Sequence, residues 1–338
     1  MMSYEIIGIT VLWFFLYGYL IVASIDFGAG FFAYYAKITK KDHIINQLIS
    51  RYLSPVWEVT NVFFVFFFVG LVGFFPDTAY YYGTALLIPG SIAIILLAIR
   101  GSFYAFENYG SKRSNLYMFL YGATGLLIPA SLSIALTLSE GGFIIETNGT
   151  VSLRVTELLT SPYSWSVVFL AIVSVLYISS TFLTFYAARA NDKPALKIVR
   201  GYALFWSVPT IIASLTTFIA LSQHNERHYE NMLDLWWMFG LSVGFFMIAM
   251  LLIFQEKHYG LAFISVMLQF FFAFFGYGKG HLPYILDPYI TIYENATQES
   301  MGIALIVAFI AGLCLLVPSL ILLMKMFLFD ADYVKGKK

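Results

Sequence analysis

The chain alternates long apolar runs with short polar links. A helix needs about 20 mainly apolar residues to cross a bilayer. Nine segments reach that length: 5–36, 55–75, 79–107, 116–138, 163–188, 201–222, 235–255, 259–278 and 301–329. The pattern predicts an all-α polytopic membrane protein with nine transmembrane helices. The first run is far longer than the apolar core of a cleavable signal and lacks a basic segment before it, so it reads as a retained helix. The two longest links are 139–162, "SEGGFIIETNGTVSLRVTELLTSP", and 279–300.

The links give the expected orientation. With nine spans, all nineteen Lys and Arg except Arg154, Arg227 and Lys279 fall on one side. Basic residues mark the cytoplasmic side, so the N-terminus is expected outside and the C-terminus in the cytoplasm. Eight or ten spans would break the alternation. The long outer links divide the chain into a first four-helix group (1–140), an outer loop (141–162), a second four-helix group (163–280), another outer loop (281–300), and a ninth, peripheral helix with a cytoplasmic tail (301–338).

Composition agrees with this class. Hydrophobic residues make up 60% and charged residues only 11% of the chain, where a soluble domain carries about a quarter charged. Mean hydropathy is +0.81. Net charge is zero, and no basic block points to nucleic acid. The single cysteine, Cys314, excludes an intrachain disulfide and a cysteine-bound metal cluster. It reads as a small apolar packing residue.

Against this background the polar groups at membrane depth are the candidates for chemistry. Asp26 lies about twenty residues into the first span, toward its cytoplasmic end. Glu58 and Asn61 lie in the first turns of the second span, on one helix face and at a similar depth. Buried ionisable groups in membrane helices often mark proton routes, and desolvation favours a carboxyl that exchanges protons. The alternative is structural acids held by hydrogen bonds to neighbours. Gly28 and Gly30, directly after Asp26, favour close helix packing. Arg100 and Glu107, seven apart, share a face of the third span. Arg100 either snorkels to the interface or pairs with Glu58 or Asp26.

None of His43, His224, His228, His258 and His281 falls in mid-membrane, so the chain is expected to carry no haem and no redox metal of its own. His224 and His228, four apart in "SQHNERHYEN", have a spacing that could suit a metal, but in so polar a stretch they read as a solvated pair. "GYGKGH" (276–281) reads as a turn and helix stop. Two four-helix groups with membrane acids also fit a proton-coupled secondary transporter, though the second group offers few polar groups for a substrate. A purely structural scaffold subunit is a further alternative.

Several stretches together resemble subunit II of the cytochrome bd quinol oxidases. Asp26-Phe27-Gly28-Ala29-Gly30 is similar to the family's D-F-G-V-G on the first span. Pro55-Val56-Trp57-Glu58 is similar to P-x-W-[DE] opening the second, although Val59, Thr60, Asn61 and Phe63 depart from the G-N-[EQ]-V-W that follows. Pro283-Tyr284-Ile285 and the run from Ile290 to Thr297 resemble the stretch before the family's final span. Arg100 to Glu107 matches R-P-V-x-F-[DE] loosely, with a spacing longer by two.

The resemblance implies a subunit of a respiratory terminal oxidase in the bacterial cell (inner) membrane, one that oxidises quinol and reduces oxygen to water. It implies a partner, subunit I, that holds haems b and d and the quinol site, and it leaves room for a small single-span accessory subunit. It further implies that Asp26 and Glu58 belong to a proton path from the cytoplasm, with Trp57, Asn61, Arg100 and Glu107 in support.

Overall fold

The computed structural model describes residues 3–50, 53–109, 115–147, 149–323 and Lys325; the side chains of Gln47, Ser50, 53–59, 103–109 and Leu323 lie outside that description. Seven helices among the described residues are long and apolar enough to cross a membrane, or eight when one bent pair is taken as a single span.

The chain opens with α1 (Tyr4–Ile38), α2 (Asp42–Ser50), α3 (Leu53–Phe74), α4 (Asp77–Ala85), α5 (Leu87–Tyr109) and α6 (Asn115–Ser139). The antiparallel hairpin β1 (Ile144–Thr147) and β2 (Thr150–Leu153) follows. The helices α7 (Val155–Thr160), α8 (Pro162–Arg189), α9 (Lys193–His224), α10 (Glu226–Asp234), α11 (Trp236–Phe254) and α12 (Tyr259–His281) come next. A second small antiparallel pair, β3 (Tyr284–Leu286) and β4 (Ile290–Thr291), precedes α13 (Glu299–Leu323).

Local signals start several of these helices. Ser161 and Asp192 accept hydrogen bonds from the backbone N–H of Ser164 and Ala195, with a proline in the first turn of α8 and α9. Asn225 caps α10 by accepting from the His228 N–H at 3.1 Å.

The segment 79–107, expected as one straight span, is instead α4 and α5 meeting at a bend of 79°. Pro89 explains the break. Its ring has no N–H to donate and would clash with the carbonyl of Ala85 in a continuous helix. The expected loops also carry structure, namely the two β pairs, α7 and α10. The glycine-rich "GYGKGH" does not stop its helix, since α12 runs through to His281. A Cβ at Gly278 would lie 2.5 Å from the Trp13 ring, and one at Gly276 would lie 2.9 Å from Phe239. The glycines are grooves for neighbouring rings rather than a turn.

Two helices sit at the centre. α1 packs on α3, α6, α8, α12 and α13, and α8 packs on α1, α6, α9 and α12. Across these contacts Trp13 Nε1 donates to the Phe274 carbonyl (3.0 Å), Tyr17 to Met267 (2.7 Å) and Ser179 to Ile25 (3.1 Å). Among the described residues α13 packs chiefly on α1 and α3, and Cys314 on it is exposed rather than packed. The outward faces of α5, α9, α11 and α13 present exposed apolar side chains such as Ile94, Phe205, Leu251 and Leu315. Such a surface needs lipid or a partner chain as its neighbour.

Candidate functional site

The carboxylate of Asp26 meets the guanidinium of Arg100, and both side chains are fully buried. Arg100 Nε donates to Asp26 Oδ2 at 2.9 Å and Nη2 to Oδ1 at 3.0 Å, a two-point geometry suited to a guanidinium. Nη2 also donates to the Asp26 carbonyl at 2.6 Å, and Nη1 to the Tyr121 carbonyl at 3.1 Å. The rings of Phe27 and Tyr121 lie 5.3 and 4.4 Å from the guanidinium carbon, close enough for cation–π attraction. Arg100 does not snorkel. It sits nine residues before the end of α5, about 14 Å along the axis, and turns inward.

The glycines around Asp26 make the pocket possible. A Cβ on Gly30 would lie 2.8 Å from Arg100 Nη1 and from the Tyr121 carbonyl oxygen; one on Gly125 would collide with the Phe27 carbonyl, and one on Gly28 with Ser179. The D-F-G-A-G spacing therefore brings α1 against α6 and α8 while leaving a slot for the guanidinium. Beside it, a cavity of about 40 Å³ lies between α5 and α6, lined by Ile99, Arg100, Ser102, Tyr117, Leu120, Tyr121 and Thr124. It is large enough for water and reaches the exposed side chains of Ile99 and Leu120. Tyr19, seven residues before Asp26, buries a hydroxyl that finds no hydrogen-bond partner among the described residues.

Of the residues singled out in the sequence, the fold brings Asp26 and Arg100 together. Asn61 on α3 is half-buried. The side chains of Trp57, Glu58 and Glu107 lie outside the described residues.

A second polar cluster lies at the end of the molecule that carries the β1–β2 hairpin. Glu140, directly after α6, is buried with His228 of α10 and His281 of α12. His228 Nδ1 is 2.9 Å from both Glu140 carboxylate oxygens, and its Nε2 is 3.0 Å from the Tyr277 carbonyl. Because a carbonyl only accepts, Nε2 carries a proton. Glu140 also accepts from the Tyr277 hydroxyl and from Asn225 Nδ2 (3.0 Å). Burial alone would raise the Glu140 carboxyl; the His228 hydrogen bond, the His281 and His228 charges and the Tyr277 hydroxyl outweigh it and hold the group below its usual range. An ion pair of Arg227 with Asp287 at 2.7 Å stands alongside.

His228 is thus not one of a solvated pair. The polar sequence around it is the solvent side of α10, and the histidine is on the opposite face. His224 is half-buried, stacked between Phe143 and Tyr163. Sequence reasoning passed over Glu140. Its signal was an acid at the boundary of an apolar run, and its burial depends on two helices distant in sequence.

Comparison with known proteins bears on the family of the whole chain. Residues 4–327 match the family model for cytochrome bd terminal oxidase subunit II. A Bacillus subtilis (strain 168) protein, named provisionally as a cytochrome bd menaquinol oxidase subunit II, is 32% identical over 342 residues, covering 98% of each chain. A chain in a solved structure of the bd oxidase from Geobacillus thermodenitrificans is 57% identical, with a TM-score of 0.85 over 97% of this chain and 99% of that one. A membrane protein of this helical architecture, matched by that family model along nearly its whole length, belongs to the subunit II family of cytochrome bd terminal oxidases and is a subunit of a respiratory terminal oxidase.

Proposed function

We propose that this chain is the haem-free subunit of a quinol-oxidising terminal oxidase, that it braces a haem-bearing subunit I, and that the Asp26–Arg100 pair belongs to a path carrying protons from the cytoplasm toward the partner's oxygen-reducing site. In this reading the chain crosses the membrane nine times, with α3 and the bent α4–α5 pair each as one crossing. The N-terminus is outside and the C-terminus cytoplasmic, as the bias of basic residues favours. The helices form two groups, α1, α3, α5 and α6 against α8, α9, α11 and α12, with α13 peripheral. The haems b and d reside in the partner. The family assignment leaves no ground for the transporter alternative.

The observation that carries the proton path is the ion pair itself. Taking two charges out of water costs several kcal/mol per ion, and a buried pair is often no more stabilising than an apolar replacement. An acid and a base retained at membrane depth are better accounted for by chemistry than by bracing. The water-sized cavity against Arg100 and the buried Tyr19 hydroxyl, which needs a partner, support a hydrated connection. Glu58 stands as the second acid of the route, with Trp57, Asn61 and Glu107 as its neighbours.

The test uses the assembled oxidase. Asp26→Asn alone takes one partner out of a buried ion pair, a change that costs about 3–5 kcal/mol, so it is compared with Asp26→Asn/Arg100→Gln, which removes both charges of the pair. The expectation is a double variant with normal haem content and oxygen reduction slowed by about tenfold or more. Wild-type turnover with normal haem content refutes the proton role, and loss of haem in both variants assigns the pair to bracing.

A further inference from the structure

The geometry points to a divalent metal site, best suited to Zn²⁺, formed by Glu140, His228 Nδ1 and His281 at the hairpin end of the molecule. One ligand atom from each residue lies within 4.8 Å of the others, and all three residues are buried. Tetrahedral zinc with bonds of about 2.0–2.2 Å holds its ligands roughly 3.3 Å apart, so small side-chain shifts close the set. Two imidazoles and a carboxylate are borderline donors that match zinc rather than calcium or magnesium.

Two further features are those of a metal site. First, the outer shell is in place. The His228 Nε2–H points at the Tyr277 carbonyl, which leaves Nδ1, already 2.9 Å from both Glu140 carboxylate oxygens, as the nitrogen that ligates once the ion displaces the proton shared with the acid, and the Tyr277 hydroxyl and Asn225 orient the Glu140 carboxylate. Second, His281 is buried yet neither ring nitrogen has a hydrogen-bond partner among the described residues. Its Nδ1 faces Glu140 Oε1 at 3.5 Å, beyond a good hydrogen bond to that acid. A buried imidazole without partners is costly, and a cation between it and Glu140 satisfies it. The ion would tie the end of α6 to α10 and α12, elements distant in sequence, with a fourth position left for water.

The test is made on the purified oxidase, stripped with a chelator, loaded with Zn²⁺ and desalted. The expectation is one zinc per copy of this chain by elemental analysis, with X-ray absorption showing nitrogen and oxygen ligands at about 2.0–2.1 Å, two of them imidazole. His281→Leu should lower zinc occupancy by about tenfold or more at equal metal, with haem content as the check on assembly; His258→Ala, a residue remote in the chain from the cluster, should retain it. Wild-type complex with less than about a tenth of a zinc per chain after loading overturns the site. Zinc retained by His281→Leu also overturns it, since the ion then sits elsewhere. Should His281→Leu fail to assemble, the wild-type absorption spectrum decides, and fewer than two imidazole ligands refutes the assignment.

Discussion

At the scale of the residue, the ion pair and its glycines form one device. Arg100 lies fully buried because Asp26 meets it at two points and the Tyr121 carbonyl takes a third donor, while Gly30 stands where any Cβ would strike the guanidinium. Gly30→Ala gains up to about 1 kcal/mol of helix propensity but overpacks a site bounded by backbone, at a cost of about 1–3 kcal/mol. The melting temperature of the oxidase is therefore expected to fall in Gly30→Ala, with the ion pair displaced. Gly201→Ala, where a Cβ meets nothing within 4 Å, should leave it unchanged or raised. An unchanged melting temperature in Gly30→Ala would contradict this packing. Much of the device was legible in the sequence: an acid in an apolar run followed by two spaced glycines is costly unless something is built there. The partner was not. Whether Arg100 reaches Asp26, Glu58 or the interface depends on how α5 is rotated against α1, which no spacing within one helix reveals.

At the scale of the element, apolar periodicity located the helices and glycine and proline misled in opposite directions. Pro89 carried a break signal that continuous apolar character on both sides concealed. The glycines of "GYGKGH" read as a stop because glycine commonly ends helices, yet α12 continues because Trp13, Phe239 and the His228–Met232 edge of α10 fill the grooves. That continuation carries His281 into the buried cluster. Gly278→Ala should consequently lower the melting temperature of the complex by pushing the Trp13 ring, and Trp13→Ala should lower it by losing a stacked contact with Phe274 and a hydrogen bond. Combined, the two should cost less than their sum, since residues in contact couple by about 0.5–3 kcal/mol. Strict additivity in a double-mutant cycle would show that the groove is not shared. Burial of Glu140 and His228 was illegible for a related reason. Both stand in polar surroundings in sequence and become interior only when α6, α10 and α12 converge.

At the scale of the whole molecule, the broad apolar exterior sets what surrounds the chain. Exposed leucines, isoleucines and phenylalanines on α5, α9, α11 and α13 require lipid or the partner subunit, and the orientation proposed from the bias of basic residues is open to direct test. A reporter fused after Lys338 is expected to report the cytoplasm, and one inserted in the β1–β2 hairpin the outside; the reverse result would invert the reading of Asp26 as lying on the cytoplasmic side. With that orientation, the proposed route has protons consumed in oxygen reduction crossing this chain at Asp26 and Arg100. Proton uptake by the reduced complex, mixed with oxygen in weak buffer with a pH-sensitive dye, tests it most directly. Asp26→Asn/Arg100→Gln, with its haems intact, is expected to take up protons about tenfold or more slowly than wild type. Uptake at the wild-type rate in that variant would contradict it.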